Sequence, residues 1–320
     1  MSKYNVKLAT TESVSGNYAG ELAAPYVAAA LLAGNTLSQN AIRIIENVKY
    51  QTSLRSMKLD SILDAANCDW DPVGTVTVAD RLLTPTELQV NLQLCKKTYV
   101  SQWESTQMAA GRLNQEIPAN FTQFLLELAA ANVAQEIEYH LWQGEVGGVG
   151  SYTRFDGFDH IIDDAGVSGR TVDNTAKTFL SSNNSTGIIP ALDVFLGDIP
   201  TEVLSQPDFT IYMNQKQAFY YQKALGAAGY NNEYEVNAKP LNYLGYPIVV
   251  ANGVADTRMF AGPSSNYVFG CDLLSDHNTA DVIDMSQTDG SQQVRVGMRF
   301  TAGCQVAITD DAYRTHDAAL

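Results

Sequence analysis

Residues 118–144, PANFTQFLLELAAANVAQEIEYHLWQG, carry the longest uninterrupted helical signal in the chain. Asn120 with Gln123 three residues on predicts an N-cap and capping box, Pro118 lies just outside, and Gly144 ends the run. A helix of roughly 24 residues spans about 36 Å at ~1.5 Å per residue. Phe121, Leu125 and Leu128 make one apolar stripe, and Leu126, Ala130, Val133, Ile137 and Leu141 make a second beside it. So broad an apolar face predicts a strut covered on most of its girth. Taken alone, the stretch also suits a core helix of an α/β enzyme.

The material around this strut is ample. The chain has 320 residues, 45% hydrophobic and 17% charged, which predicts two connected domains with a sizeable core. A net charge of −15 argues against gripping nucleic acid through phosphates, because that needs clustered Lys and Arg. Cys68, Cys95, Cys271 and Cys304 form no C-x-x-C pair and read as reduced, mostly buried thiols of a cytosolic product. The apolar run 21–34, ELAAPYVAAALLAG, lacks a basic lead-in and is too short to cross a bilayer, so neither export nor membrane insertion is expected.

Before the strut, residues 1–48 read as an arm: a polar start, an Ala-rich helix over 22–32, and a short extended piece from Ala41 to Tyr50. Such a segment has too little apolar surface to fold by itself. Residues 49–103 switch to strand signals. Val73 to Val78 is Thr/Val-rich, Glu87 to Leu94 alternates polar and apolar, and Asp80, Arg81, Thr84 and Pro85 supply a turn between them. The expectation is a β-hairpin excursion that needs another surface to lie on.

After the strut, residues 155 to about 275 read as mixed α/β: a helix over 189–204, strand 209–213, helix 215–227, and strands at 247–251, 258–261 and 267–270. The tail alternates as strand, a turn at Asp289-Gly290, strand, and a separate last strand over 303–309.

Chemical motifs are sparse. The glycines at 144, 147, 148 and 150 follow a helix instead of opening one, so they make a poor phosphate loop. Glu136 and His140 stand one turn apart, but no second Glu-x-x-His accompanies them, and a solvated helix face is the expectation. Asp163-Asp164 and Asp310-Asp311 read as hydrated. His140, His160, His277 and His316 belong to no catalytic signature. No catalytic, cofactor-binding or metal residue is assigned.

Several local strings carry a resemblance. They are Cys68-Asp69-Trp70 with Gly74, Arg81-Leu82-Leu83-Thr84-Pro85, Val90-Asn91, Leu94-Cys95-Lys96, Trp103, and Glu138 with Trp142 and Gly144. Further on come Phe155-Asp156-Gly157-Phe158, Gly245-Tyr246-Pro247-Ile248, the run 265–274 and Val294-Arg295-Val296 with Arg299-Phe300. In this order the chain resembles the major capsid proteins of tailed phages, and it is similar in wording to those of crAss-like and related phages of Bacteroidota.

The resemblance implies an α+β chain of the Hong Kong 97-type capsid fold: N-terminal arm 1–48, extended β-hairpin loop 49–103, peripheral domain 104–149 with 280–302 around the spine helix, and axial domain 150–279 with 303–320. It implies a non-enzymatic shell protein without cofactors. Copies would form pentamers and hexamers of an icosahedral head around double-stranded DNA, in the virion, after assembly in the host cytoplasm. Portal, scaffold and decoration proteins are the implied further partners. The residues expected at subunit interfaces are Arg81, Leu83, Pro85, Trp103, Asp289 and Gly290. An encapsulin-type nanocompartment shell is the first alternative and a cytosolic α/β enzyme the second.

Overall fold

The computed structural model describes residues 35–39, 41–59, 62–63, 74–95, 119–164, 171–173, 187–227, 241–272, 281–285 and 290–316. Its first helix, α1, is the single turn Asn35–Ser38, and the strut is α2, Ala119–Gln143. Because α2 starts at Ala119, Asn120 lies inside the helix and not at its cap. Ala130, Val133, Ile137 and Leu141 are buried as the second stripe requires, and burial also takes in Ala129, Ala134, Glu138, His140 and Trp142. The end of α2 is fixed by backbone crowding. A Cβ on Gly144 would sit 2.2 Å from the Phe155 carbonyl oxygen, so only glycine lets these two segments touch.

Among the described residues the strands form three sheets. The first contains β1 (Arg43–Ile45), β10 (Tyr267–Cys271), β12 (Gln293–Val306) and β11 (Asp281–Asp284), with β4 (Thr86–Cys95) on the other side of β12. β1 runs parallel to β10, and β12 is antiparallel to β10, β11 and β4. Period-2 alternation sends Val294, Val296, Met298, Phe300 and Ala302 of β12 into the core while Arg295 and Arg299 face out. Together with α2 and α3 (Phe158–Asp164) this sheet encloses a core centred on Trp142, whose ring lies 5.0 Å from Phe260, 5.2 Å from Tyr212 and 5.3 Å from Phe158.

The second sheet has the order β5 (Thr171–Asp173), β13 (Tyr313–His316), β9 (Phe260–Pro263), β6 (Phe209–Met213), β8 (Tyr246–Val250), β7 (Asn242–Tyr243). Helices α4 (Ile188–Gly197), α5 (Thr201–Leu204) and α6 (Gln215–Ala227) accompany it, with Phe195, Ile211, Met213 and Tyr221 in a second core. β6 and α6 fall where the sequence predicts. The helix expected over 189–204 is two helices, because Pro200 disfavours helical geometry at Ile199 and cannot donate to the preceding turn.

Strand pairing differs from expectation in three places. The third sheet is a ribbon of β2 (Thr52–Leu59) and β3 (Val76–Leu83), so β3 continues through Asp80 and Arg81 instead of turning there. β4, the expected partner of β3, lies along β12 in register from Cys95↔Gln293 to Thr86↔Ala302. Alternation identified both strands, but nothing local to them specifies the partner. No separate last strand covers 303–309: β12 runs unbroken to Val306 and thus crosses the domain boundary expected at 302/303.

The end of the expected arm is also part of the body. Leu37, Ala41, Ile42 and Val48 are buried, β1 joins the first sheet, and the Tyr212 hydroxyl donates to the Ala41 carbonyl at 2.6 Å. The segment is poor in apolar surface, yet it lies between elements that supply the rest. The predicted helix at 22–32, and the region of Cys68, fall outside the described residues.

Candidate assembly surfaces

Among the described residues, the ribbon of β2 and β3 has a face left uncovered. Its root is firm: Leu54, Leu83, Val48 and Val268 form a small core of their own. Leu83 fills the space where a Cβ on Gly270 would lie 2.6 Å from its methyl carbon. The Thr84-Pro85 step then crosses to the first sheet, its backbone pressed on Gly303, while the Gln305 amide donates to the Leu82 carbonyl at 2.9 Å.

Beyond the root nothing covers the ribbon among the described residues. The register pairs Arg55 with Asp80, Met57 with Val78 and Leu59 with Val76, so all six side chains share one face. Met57 is 72% exposed, Leu59 60%, Val76 58% and Val78 52%. Arg55 and Asp80 form an exposed ion pair at 3.2 Å that closes the apolar patch at its root side. Among the described residues both ribbon edges are unpaired, and full burial of each such side chain is worth about 1.5–3 kcal/mol, of which the described residues realise only part.

The residues expected at interfaces separate accordingly. Arg81 lies on the opposite ribbon face, half-buried, and desolvation pushes its guanidinium below its ordinary value while the Asp164 carboxylate acts the other way. Leu83 is fully buried within its own chain, which removes it from any interface in this conformation. Pro85 is half-buried against Gly303. Gly290, exposed at φ 70°, sits in the connection between β11 and β12 and is not brought near the ribbon root by strand pairing. Trp103 and Asp289 lie outside the described residues. Sequence reasoning missed Met57 and Leu59, because β2 is polar on both faces near them; Val76 and Val78 were the available signal.

Charged groups elsewhere serve the fold. Arg314, buried on β13, pairs with Asp159 at 2.5 Å and also with Asp163 of α3, so Asp163 is not simply hydrated. Glu138 is buried on α2 and accepts the Thr36 amide at 3.2 Å, the Thr36 hydroxyl and the Gly253 amide; desolvation still raises its carboxyl above the ordinary range. His140 is buried too, contrary to the solvated face expected for it. Its Nδ1 bonds the Glu136 carbonyl at 2.8 Å, so Nδ1 carries the proton, and Nε2 has no partner among the described residues. His140 lines a groove of about 1100 Å³ between α2 and β4, with Asn132, Gln135, Tyr139 and Arg154.

Cys271 and Cys304 are buried free thiols, and burial raises Cys271 to about 11; Cys95 is exposed. Among the described residues no three His, Cys, Asp or Glu side chains converge as a metal site, and no helix is long and apolar enough to cross a membrane.

No protein-family model and no curated protein matches the sequence. Solved structures do. The chain is similar to the capsid of an empty GTA particle, with a TM-score of 0.58 at 15% identity over 89% of this chain and 90% of that one. It is similar to the procapsid of satellite phage P4 that includes the size-determination protein, with a TM-score of 0.57 at 10% identity over 95% and 93% of the two chains. A chain from Mycobacterium phage Ogopogo matches with a TM-score of 0.58 at 13% identity over 89% and 92%. With nearly whole chains superposed on each other, the fold is that of tailed-phage capsid proteins, the Hong Kong 97 type.

Proposed function

We propose that this chain is a non-enzymatic major capsid protein whose copies build the icosahedral head of a tailed phage around double-stranded DNA. The observation that carries the reading is the ribbon: a rooted element with an uncovered apolar face, in a fold shared with phage capsids. The ribbon face of Met57, Leu59, Val76 and Val78 is the overlap surface for the next copy in a pentamer or hexamer. Arg81 and Pro85 at its root, Trp103, and the Asp289-Gly290 turn are the further contact points. In this reading residues 49–103 include the extended loop, α2 is the spine of the peripheral domain, and the second sheet belongs to the axial domain. A net charge of −15 suits a wall that repels packaged DNA and does not hold it. Assembly in the host cytoplasm with portal, scaffold and decoration proteins follows from the same reading. The closer likeness to phages of Bacteroidota rests on the sequence strings alone, and the phage shells named above favour a head over an encapsulin.

Expression followed by light scattering and negative-stain microscopy tests this. Closed shells or ring-shaped capsomers are expected. A small compact oligomer that persists across protein and salt concentrations would overturn it in favour of a cytosolic protein of another function.

A further inference from the structure

Five consecutive residues of β4, from Glu87 to Asn91, line the groove between β4 and α2. Successive side chains of a strand point to opposite faces, so such a run shares one wall only when that wall is the strand's edge, backbone included. Among the described residues β4 is paired on one flank alone, to β12, and Leu88, Val90 and Leu94 are only half-covered. The open flank offers unpaired N–H and C=O groups over about 16 Å.

The facing wall, α2, brings an acceptor. His140 is 8% exposed, and its ring lies against those of Tyr152 and Phe155 at 5.3 and 5.4 Å. With Nδ1 bonded back to Glu136, the ring carries Nε2 on its far side, without a partner among the described residues. A neutral imidazole accepts there, so the groove calls for an N–H donor from its occupant. Glu87 and Glu136 balance Arg154 and Arg299, which leaves selection to backbone pairing and not to net charge.

We infer that this groove is a strand acceptor: it takes one edge of the β2–β3 ribbon of a second copy, which adds to β4 as a further strand and donates to His140 Nε2. Length selects that occupant. The end strands of the two larger sheets, β1, β11, β5 and β7, have four residues or fewer, whereas β2 and β3 have eight each and outer edges unpaired among the described residues. A chain's own ribbon is kept out, because Leu83 packed on Gly270 and Pro85 pressed on Gly303 hold β3 off β4 at the short link between them. Ribbon edge into groove is a head-to-tail contact, the kind that closes rings, and it rests on the shell-forming reading above.

Hydrogen–deuterium exchange of the full chain, compared before and after assembly, tests this. Protection should rise over residues 86–95, in the amides that β12 leaves free, and over 52–59 or 76–83. Asn91→Arg with Asn132→Arg adds a cation to each wall at exposed positions, against a ribbon that carries Arg55, Lys58 and Arg81 but only Asp80 in opposition. The melting temperature of this unassembled variant should stay within about 2 °C of the parent, while its half-maximal assembly concentration rises about tenfold. Shells in which 86–95 exchanges as before, or a variant that assembles at the parental concentration, would overturn the strand acceptor and leave the shell reading intact. Protection over 86–95 with none in the ribbon would overturn the ribbon as occupant. A parental chain that forms no assembly would overturn both readings together.

Discussion

Thr36 and Glu138, 102 residues apart, meet inside the core, where the carboxylate accepts the Thr36 amide at 3.2 Å and the Trp142 indole donates to the Thr36 hydroxyl at 3.0 Å. This cluster fastens the segment before β1 to the spine helix. A carboxyl raised by burial binds its proton more tightly folded than unfolded, so its contribution to stability falls as pH climbs from the ordinary carboxylate range towards the raised value. The parent should therefore gain stability relative to Glu138→Gln on acidification from pH 7 towards pH 5, read as the difference in melting temperature. Glu138→Ala, which orphans the Thr36 and Gly253 amides, should cost about 2 kcal/mol.

Gly144 and Gly157 touch backbone to backbone, with the Gly157 amide donating to the Gly144 carbonyl at 2.8 Å. A Cβ at Gly157 would fall 2.6 Å from the Gly144 nitrogen. Gly144→Ala or Gly157→Ala should each lower stability by at least 3 kcal/mol, measured by denaturant titration, or yield insoluble protein.

Paired charges on the ribbon separate folding from assembly. Met57→Lys with Val78→Glu places opposite charges across one register position, both solvated in the single chain. The melting temperature should stay within about 2 °C of the parent, since exposed substitutions are usually worth under 0.5 kcal/mol, while shells disappear from micrographs. Parental shells from this variant would remove the ribbon from the assembly contacts.

Leu83 and Arg314 should behave as internal residues. Leu83→Ala opens a cavity under Gly270 and should cost about 2–5 kcal/mol. Arg314→Leu removes a cation from Asp159, which keeps Arg258 at 3.6 Å, and from the largely exposed Asp163, so the loss should be smaller, about 2 kcal/mol. Chemical denaturation of both variants checks the order.

Much of the fold was legible where one local pattern suffices. The strut from its uninterrupted apolar stripes, β6 and α6 from their flanking breaks, and the Gly144 stop all lie where the sequence puts them. Partner choice was not legible. β3 and β4 are separated by Thr84-Pro85 and read as a hairpin, yet β4 joins a strand some two hundred positions later, and β2 hid because a ribbon wet on both faces shows no alternation. The last strand expected to begin at Gly303 is the continuation of β12, and Gly303 is only where the Pro85 backbone crosses. Burial of His140 was invisible because one polar residue in a helix gives no sign of which way its neighbours close over it.

β12 has a mechanical corollary. One continuous strand is bonded along its flanks to β4 on one side and to β10 and β11 on the other. Tension applied along it must break many hydrogen bonds at once in shear, not peel them one after another. Under lengthwise load the protein should therefore yield first at segments fastened by fewer hydrogen bonds, with β12 and its flanks still intact.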